Sequence, residues 1–372
     1  MRNTNTDYCY KDFAIVLTWP DATIRGDEKW MMFFKKIGIV KNLNFKVGHT
    51  GVVIISHRTG EMLYYDFGRY IAPRGYGRAR SKFSDPLLHL EQKAQIKDQK
   101  IINLREVVEA FEEIKPYTYG QGVLYFSVVE GINFELAKKY GDECVEQGTY
   151  SYGAVAKKSN NCSRFITRMF MKSSERFHFW HGINLPETIK SSPISNVVNG
   201  VKDRMIYSYS PEEGLKHFRM NRWQSFFFLL KKLGDNVSSD KSKEIREDIS
   251  IGWMEYKSKP ISLSKNAQYL GGVGDGAWYE LNREENDKIK ITRYTSHGKF
   301  EYTAIGKPEE TIDRMATLKI TYDSHLLYSH IKTQDNRKIK VKHLKIKTTV
   351  DQDQAKKAQH TPYLNLQQAS SN

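Results

Sequence analysis

The stretch Gly48-His49-Thr50-Gly51-Val52-Val53-Ile54-Ile55-Ser56 decides how the first half of this chain is read. It is a short apolar run rich in β-branched residues. A second run, Glu61-Met62-Leu63-Tyr64-Tyr65-Asp66-Phe67, follows after Arg58-Thr59-Gly60, so the pair is predicted to form a β-hairpin. His49 enters that hairpin at its open end. Upstream, Asp12-Phe13-Ala14-Ile15-Val16-Leu17-Thr18-Trp19 is a buried strand closed by Pro20-Asp21, and residues 26–38 have a helical pattern.

Downstream, residues 102–114 place Leu104, Val107, Val108 and Phe111 at helical spacing, with Pro116 as the stop. Residues 123–129 return to strand, and Asn133 opens a helix that runs through Cys144. Ser159-Asn160-Asn161 supplies capping side chains for a further helix starting near Cys162, whose apolar residues Phe165, Ile166, Met169 and Phe170 share a face with the cysteine. A short amphipathic helix is predicted over 223–233, and the polar, charged stretch 234–248 reads as a linker. Beyond it, 276–281, 288–294 and 316–322 are short alternating segments, and Lys332 to Lys347 reads as a strand with one solvated basic face. The expectation is an α+β chain with four parts. Residues 1–205 form an antiparallel sheet packed with helices, 206–248 a helical connector and charged linker, 249–350 a small antiparallel β domain, and 351–372 a disordered tail.

A chain of 372 residues is long for a single core, and 39% hydrophobic content with 12% aromatics suffices for two. With 27% charged residues and a mean hydropathy of −0.61 the surface is strongly polar. The most apolar run, Phe226-Phe227-Phe228-Leu229-Leu230, falls far short of the ~20 residues of a spanning helix. The start is polar and carries no apolar signal region, so a cytoplasmic location is expected. Cys9, Cys144 and Cys162 lie at wide spacings that match neither a disulfide framework nor a zinc site. A formal charge of +15 favours phosphates or acidic polymers as partners.

A thiol becomes a nucleophile when its proton is easily lost. The first turn of a helix promotes this through unpaired N–H groups and the macrodipole. Cys162 sits where such a turn begins, and His49 is the candidate base. A third residue is needed to orient the imidazole. With the turn centred on Thr59-Gly60, the strand period puts Asp66, Gly68 and Tyr70 on the His49 face. Asp66 is the only carboxylate among them. Simple register sets Tyr70 directly opposite His49, so Asp66 needs a bulge or twist to reach it, and Tyr70 and Gln121 stand as substitutes.

Candidate substrate-binding residues are Asn161, Arg69, Tyr70 and Gln121. Arg69, Arg74, Arg78 and Arg80, interleaved with Tyr70 and Tyr76, form the densest basic-aromatic stretch, either an anion-binding loop or an ordinary solvated one. Cys9 and Cys144 read as structural, and His57 as solvated near the hairpin turn. His178 and His181 lack an acidic partner, so no metal is expected, and no cofactor motif is present. Gly271-Gly272-Val273-Gly274-Asp275-Gly276 lacks the Lys-Ser/Thr of a phosphate loop and is followed by a strand pattern, which makes it a flexible turn.

Gly48-His49-Thr50-Gly51, Tyr64-Tyr65-Asp66-Phe67-Gly68 and Asn161-Cys162-Ser163-Arg164-Phe165, in that order, resemble the circularly permuted NlpC-type branch of the papain-like cysteine hydrolases. That branch includes lecithin:retinol acyltransferase-like enzymes and the N-terminal domain of lacto-N-biosidase-chaperone-like bacterial proteins. The resemblance covers roughly the first 175 residues. It implies a permuted papain-like fold, with Cys162 as nucleophile and His49 as base, acting on an amide- or ester-bearing substrate through an acyl-enzyme. Asp66 departs from the histidine that the acyltransferases use, and the export signals of the periplasmic relatives are not found here. A cysteine amidase or peptidase is the leading expectation. The alternatives are an inactive binding module for an anionic polymer, and an acyltransferase.

Overall fold

Residues 12–19 form β1 (Asp12–Trp19), every residue of which is buried. The strand is covered on both faces, which is why an unbroken apolar run suits it better than alternation. The computed structural model describes residues 9–26, 29–38, 42–46, 48–153, 159–175, 192–235, 240, 243–245, 252–256 and 258–349. The expected disordered tail and the pair His178 and His181 lie outside the described residues, as does part of the expected linker.

Two units are present, and each takes one short segment from the other half of the sequence. The first comprises 1–82, 88–255 and 271–275, and the second 83–87, 256–270 and 276–372. In the first, β1 is followed by β2 (Thr23–Arg25), α1 (Lys29–Lys36), β3 (Asn44–Lys46), β4 (His49–Ile55), β5 (Met62–Gly68) and β6 (Tyr76–Arg80). Then come β7 (Ile96–Lys97), β8 (Lys100–Ile101), α2 (Leu104–Thr118), β9 (Leu124–Ile132), α3 (Phe134–Glu146), β10 (Thr149–Ser151) and α4 (Cys162–Ser173). A helix at Pro193–Asn199, β11 (Met205–Ser210), β12 (Gly214–Arg219) and a helix at Arg222–Asp235 complete it.

The main sheet has eight strands in the order β10-β6-β5-β4-β1-β9-β11-β12, and its ladders are antiparallel. Phe13, Ile15, Leu17, Val53 and Ile55 pack with Val107, Val108, Phe111 and Ile114 of α2 on one face. On the other, α3, α4 and the Pro193–Asn199 helix lie against β1, β4, β5, β6 and β9, with Phe165 stacked on Phe67 at 6.2 Å. The fold class is α+β, as expected.

Pro116 does not stop α2 but lies inside it, and the helix runs on to Thr118. A proline this late forfeits one N–H bond, and the end is closed instead on the Lys115 carbonyl. That carbonyl accepts from Thr118 Oγ1 at 2.9 Å and from the Gly120 amide at 3.2 Å. His57 is also not solvated. Its Nδ1 and backbone N–H meet Asp12 Oδ1 at 2.7 and 2.8 Å, while Asp12 Oδ2 accepts from the Phe134 amide, joining the hairpin turn to the start of α3.

The second unit is a seven-stranded sheet in the order β13-β14-β15-β16-β19-β18-β17. Its strands are β13 (Gln268–Gly271), β14 (Gly276–Arg283), β15 (Ile289–Thr295), β16 (Phe300–Pro308), β17 (Lys319–Ile320), β18 (Tyr328–Lys332) and β19 (Lys338–Thr348). The basic stretch 332–347 is the end of one strand and most of the next, turning at Asn336 in the left-handed region. The predicted strand 316–322 shrinks to Lys319–Ile320. Inside this unit Arg293 is buried between Asp85 at 3.0 Å and Glu301 at 2.7 Å.

Candidate active site

Helix α4 begins as its sequence demands. Asn161 is extended (φ −145°, ψ 177°), and its side chain accepts the Arg164 amide at 2.8 Å, which leaves Cys162 as the first helical residue. The preceding loop is pinned as well. Asn160 Oδ1 accepts the Asn161 amide at 3.1 Å, Asn160 Nδ2 donates to the Tyr150 hydroxyl at 3.1 Å, and the buried Arg164 reaches the Gly153 carbonyl. Cys162 is partly exposed, whereas Cys144 is buried and Cys9 is exposed.

Across the β4–β5 hairpin, Gly51 pairs with Asp66 and Ile55 with Met62. The turn is therefore centred one residue earlier than Thr59-Gly60, and the register slides by two. Parity is kept, so Asp66 stays on the His49 face. It stands two residues nearer than simple register predicted, and no bulge is needed. His49 Nε2 lies 3.2 Å from Asp66 Oδ2. Tyr70, past the end of β5, folds back so that its hydroxyl donates to Asp66 Oδ2 at 2.6 Å and sits 3.1 Å from His49 Nε2. The Tyr64 hydroxyl donates to the same oxygen at 2.9 Å.

Arg80 completes the cluster from β6. Its Nε donates to Asp66 Oδ1 at 3.1 Å, its Nη2 to Oδ2 at 2.7 Å and its Nη1 to the Tyr117 carbonyl at 3.1 Å. The guanidinium lies 3.3 Å from the centre of the Tyr70 ring. A two-pronged guanidinium–carboxylate pair of this kind keeps a buried acid ionised. Burial alone would raise the Asp66 pKa, but the Arg80 charge and the bonds from His49 and Arg80 hold it well below the usual carboxylate range. Burial alone would lower His49. The hydrogen bonds to Asp66 and Cys162, with the charges on both, outweigh it and lift the imidazole from 6.5 to about 9. Burial pushes the Tyr64 and Tyr70 phenols far above their ordinary range, so both remain donors to the carboxylate.

The other predicted site residues sit as follows. Asn161 caps α4. Arg69 is buried, donates to the Arg25 carbonyl and covers the Tyr152 ring at 4.6 Å. Gln121 is exposed, next to Gly120, which packs on the ring of Trp19, the cross-strand partner of His49. The basic-aromatic stretch is exposed only from Arg74 to Tyr76, since Arg69, Arg78 and Arg80 are all buried. Sequence reasoning placed Arg80 in that loop and missed its part in the site. The one available signal was strand spacing, because Arg80 is the direct partner of Asp66 in the next ladder. Among the described residues, no group of three or more His, Cys, Asp or Glu is placed to hold a metal ion.

Fold and site together define a class: an α+β protein whose central antiparallel sheet carries a buried His–Asp–Arg cluster coupled to a cysteine at a helix N-terminus. Residues 14–179, which contain all four groups, are similar to the family described as type VI secretion system effector TseH-like. Residues 267–344 are similar to the family described as DUF6695 C-terminal domain. The crystal structure of the type VI secretion system effector TseH aligns with a TM-score of 0.37 and 17% identity over 55% of this chain and 97% of its own. No curated protein matches. Among the described residues, no helix is long and apolar enough to cross a membrane.

Proposed function

We propose that the first unit is a cysteine hydrolase of permuted papain-like type, cleaving an amide or ester. The observation that carries this reading is the His49 imidazole, 3.2 Å from the Asp66 carboxylate and lifted to about 9 by Asp66 and Cys162 together. In the reaction the imidazole holds the proton taken from sulfur, and the sulfur forms a bond to the substrate carbonyl carbon. The tetrahedral oxyanion gathers next to the first-turn amides of α4, the region where a helix N-terminus favours negative charge. On its collapse the bond to the leaving group breaks, and His49 delivers its proton to the departing amine or alcohol. The neutral imidazole next takes a proton from water. The hydroxide adds to the acyl-enzyme, the carbon–sulfur bond breaks, and the acid product leaves with the thiolate restored. Asp66 keeps the Nε2 proton in place and balances the imidazolium charge.

The match of residues 14–179 to TseH-like effectors supports a hydrolase-type reading of this region and carries the further proposal that the chain acts as a type VI effector. Labelling with an electrophilic acyl-type thiol probe tests the chemistry. Cys162→Ala abolishes labelling, while Cys9→Ala and Cys144→Ala leave it intact. Equal labelling of the Cys162→Ala protein overturns the assignment.

A further inference from the structure

The Gly271-Gly272-Val273-Gly274-Asp275 run makes the expected turn between β13 and β14, and it is packed. It belongs to the first unit although it joins β13 to β14 of the second, and it lies against the backbone that carries Tyr70. The Gly274 amide donates to the Arg69 carbonyl at 2.6 Å, and the Trp253 amide donates to the Gly272 carbonyl at 2.9 Å, so the run is bonded on two sides. Gly272 is buried, and a Cβ built there would overlap the Tyr70 carbonyl oxygen and stand 3.0 Å from the Ala72 nitrogen. Both are backbone atoms and cannot rotate away. Tyr70 is confined from below as well, since a Cβ at Gly68 would meet its ring at 2.7 Å. The ring therefore has Arg80 on one face, a side-chain-free position beneath it and the glycine strap against its own backbone.

We propose that the Gly271–Asp275 strap is a positioning element of the site, fixing Tyr70 so that its hydroxyl holds the His49–Asp66 pair together and its ring seals that pair from water. The proposal rests on the cysteine-hydrolase reading for its effect on rate, but not for its effect on His49. Displacing Tyr70 admits water, which screens Asp66 from the imidazole and returns His49 toward its ordinary range. A part of the chain far from the hydrolase motifs thereby governs the competence of the site.

The test uses the full chain with Gly272→Ala, and with Gly274→Ala as the milder variant, where a Cβ meets the Arg69 oxygen at 2.8 Å. Probe labelling of Cys162 and the NMR titration of His49 are both read, and the His343 signal of the second unit serves as the fold control. The expected result is labelling slower by on the order of 10- to 100-fold and a His49 midpoint well below the native one, with His343 unmoved. A merely structural role reduces the amount of folded protein without moving the His49 midpoint. Native rates and midpoints in both folded variants overturn the proposal. Should neither variant fold, Tyr70→Phe leaves the strap untouched and decides: a native rate and midpoint overturn the proposal, and a change in both supports it. If the native protein itself is never labelled, the hydrolase reading fails while the His49 midpoint still tests the strap.

Discussion

His49 and His343 are buried to the same degree, each with 8% of its surface exposed, yet they are driven in opposite directions. His49 faces the ionised Asp66 and the Cys162 thiol and rises to about 9. His343, in the second unit, has burial lowering it to about 4, with the bond to the Leu326 carbonyl acting only weakly the other way. Its Nδ1 lies 2.7 Å from the Leu326 oxygen, and its Nε2 lies 3.0 Å from Ser329 Oγ. A neutral ring that donates to the carbonyl and accepts from the hydroxyl satisfies both contacts. Burial sets the cost of charging an imidazole, and the partner decides whether the charge appears. One unit contains a proton carrier and the other a packed polar side chain, from the same residue type at the same depth.

His49→Ala cuts at this contrast most deeply. Labelling of Cys162 is expected to fall by about 100- to 10,000-fold, the range for loss of a general acid–base. His343→Ala is expected to leave the rate unchanged, and a similar loss in both variants would dissolve the distinction. Asp66→Asn comes next. It strips the counter-charge from Arg80 and His49, with an expected loss of about 3–5 kcal/mol in denaturant unfolding. The His49 midpoint, followed by NMR, falls from about 9 toward 6.5.

The two imidazoles also give stability opposite pH dependences. Between pH 6.5 and about 9 the folded chain keeps a proton on His49 that the unfolded chain releases, so stability declines as pH rises through that window. Between 6.5 and about 4 the unfolded chain binds a proton that buried His343 refuses, so this contribution declines as pH falls. Each limb is expected to slope at about 1.4 kcal/mol per pH unit, measurable by unfolding at fixed pH values. His49→Ala should flatten the alkaline limb alone and His343→Ala the acid limb alone. The smallest expected effect belongs to Ser329→Ala, about 1 kcal/mol for one lost hydrogen bond, with His343 still neutral at pH 7.

Legibility followed locality. The strand Asp12–Trp19 and the hairpin pattern could be read because side-chain alternation and apolar runs act over a few residues. The Asn161 cap depends on an amide only three residues away. Strand parity was enough to select Asp66 as the carboxylate on the His49 face, and a register slip of two changed the distance without changing the face. Arg80 was misread because a buried arginine and a surface one leave the same letter in the chain. Only the β5–β6 ladder sets it against Asp66. The packing of the glycine turn was illegible for the same reason, since its partner, the Tyr70 backbone, lies some two hundred residues upstream.

By itself the amino-acid sequence determined the kinds of group available: a cysteine placed to open a helix, a histidine at a strand entrance and a carboxylate of matching parity. Caps and alternation are short-range and are written in neighbouring residues. The tertiary structure alone decided which charge stands against which in a low-dielectric interior. The protonation of His49, the clamping of Asp66 by Arg80 and the seating of Tyr70 by distant glycines depend on ångström-scale approaches between remote parts of the chain, where Coulomb and steric forces vary too steeply with distance to be inferred from order along the sequence.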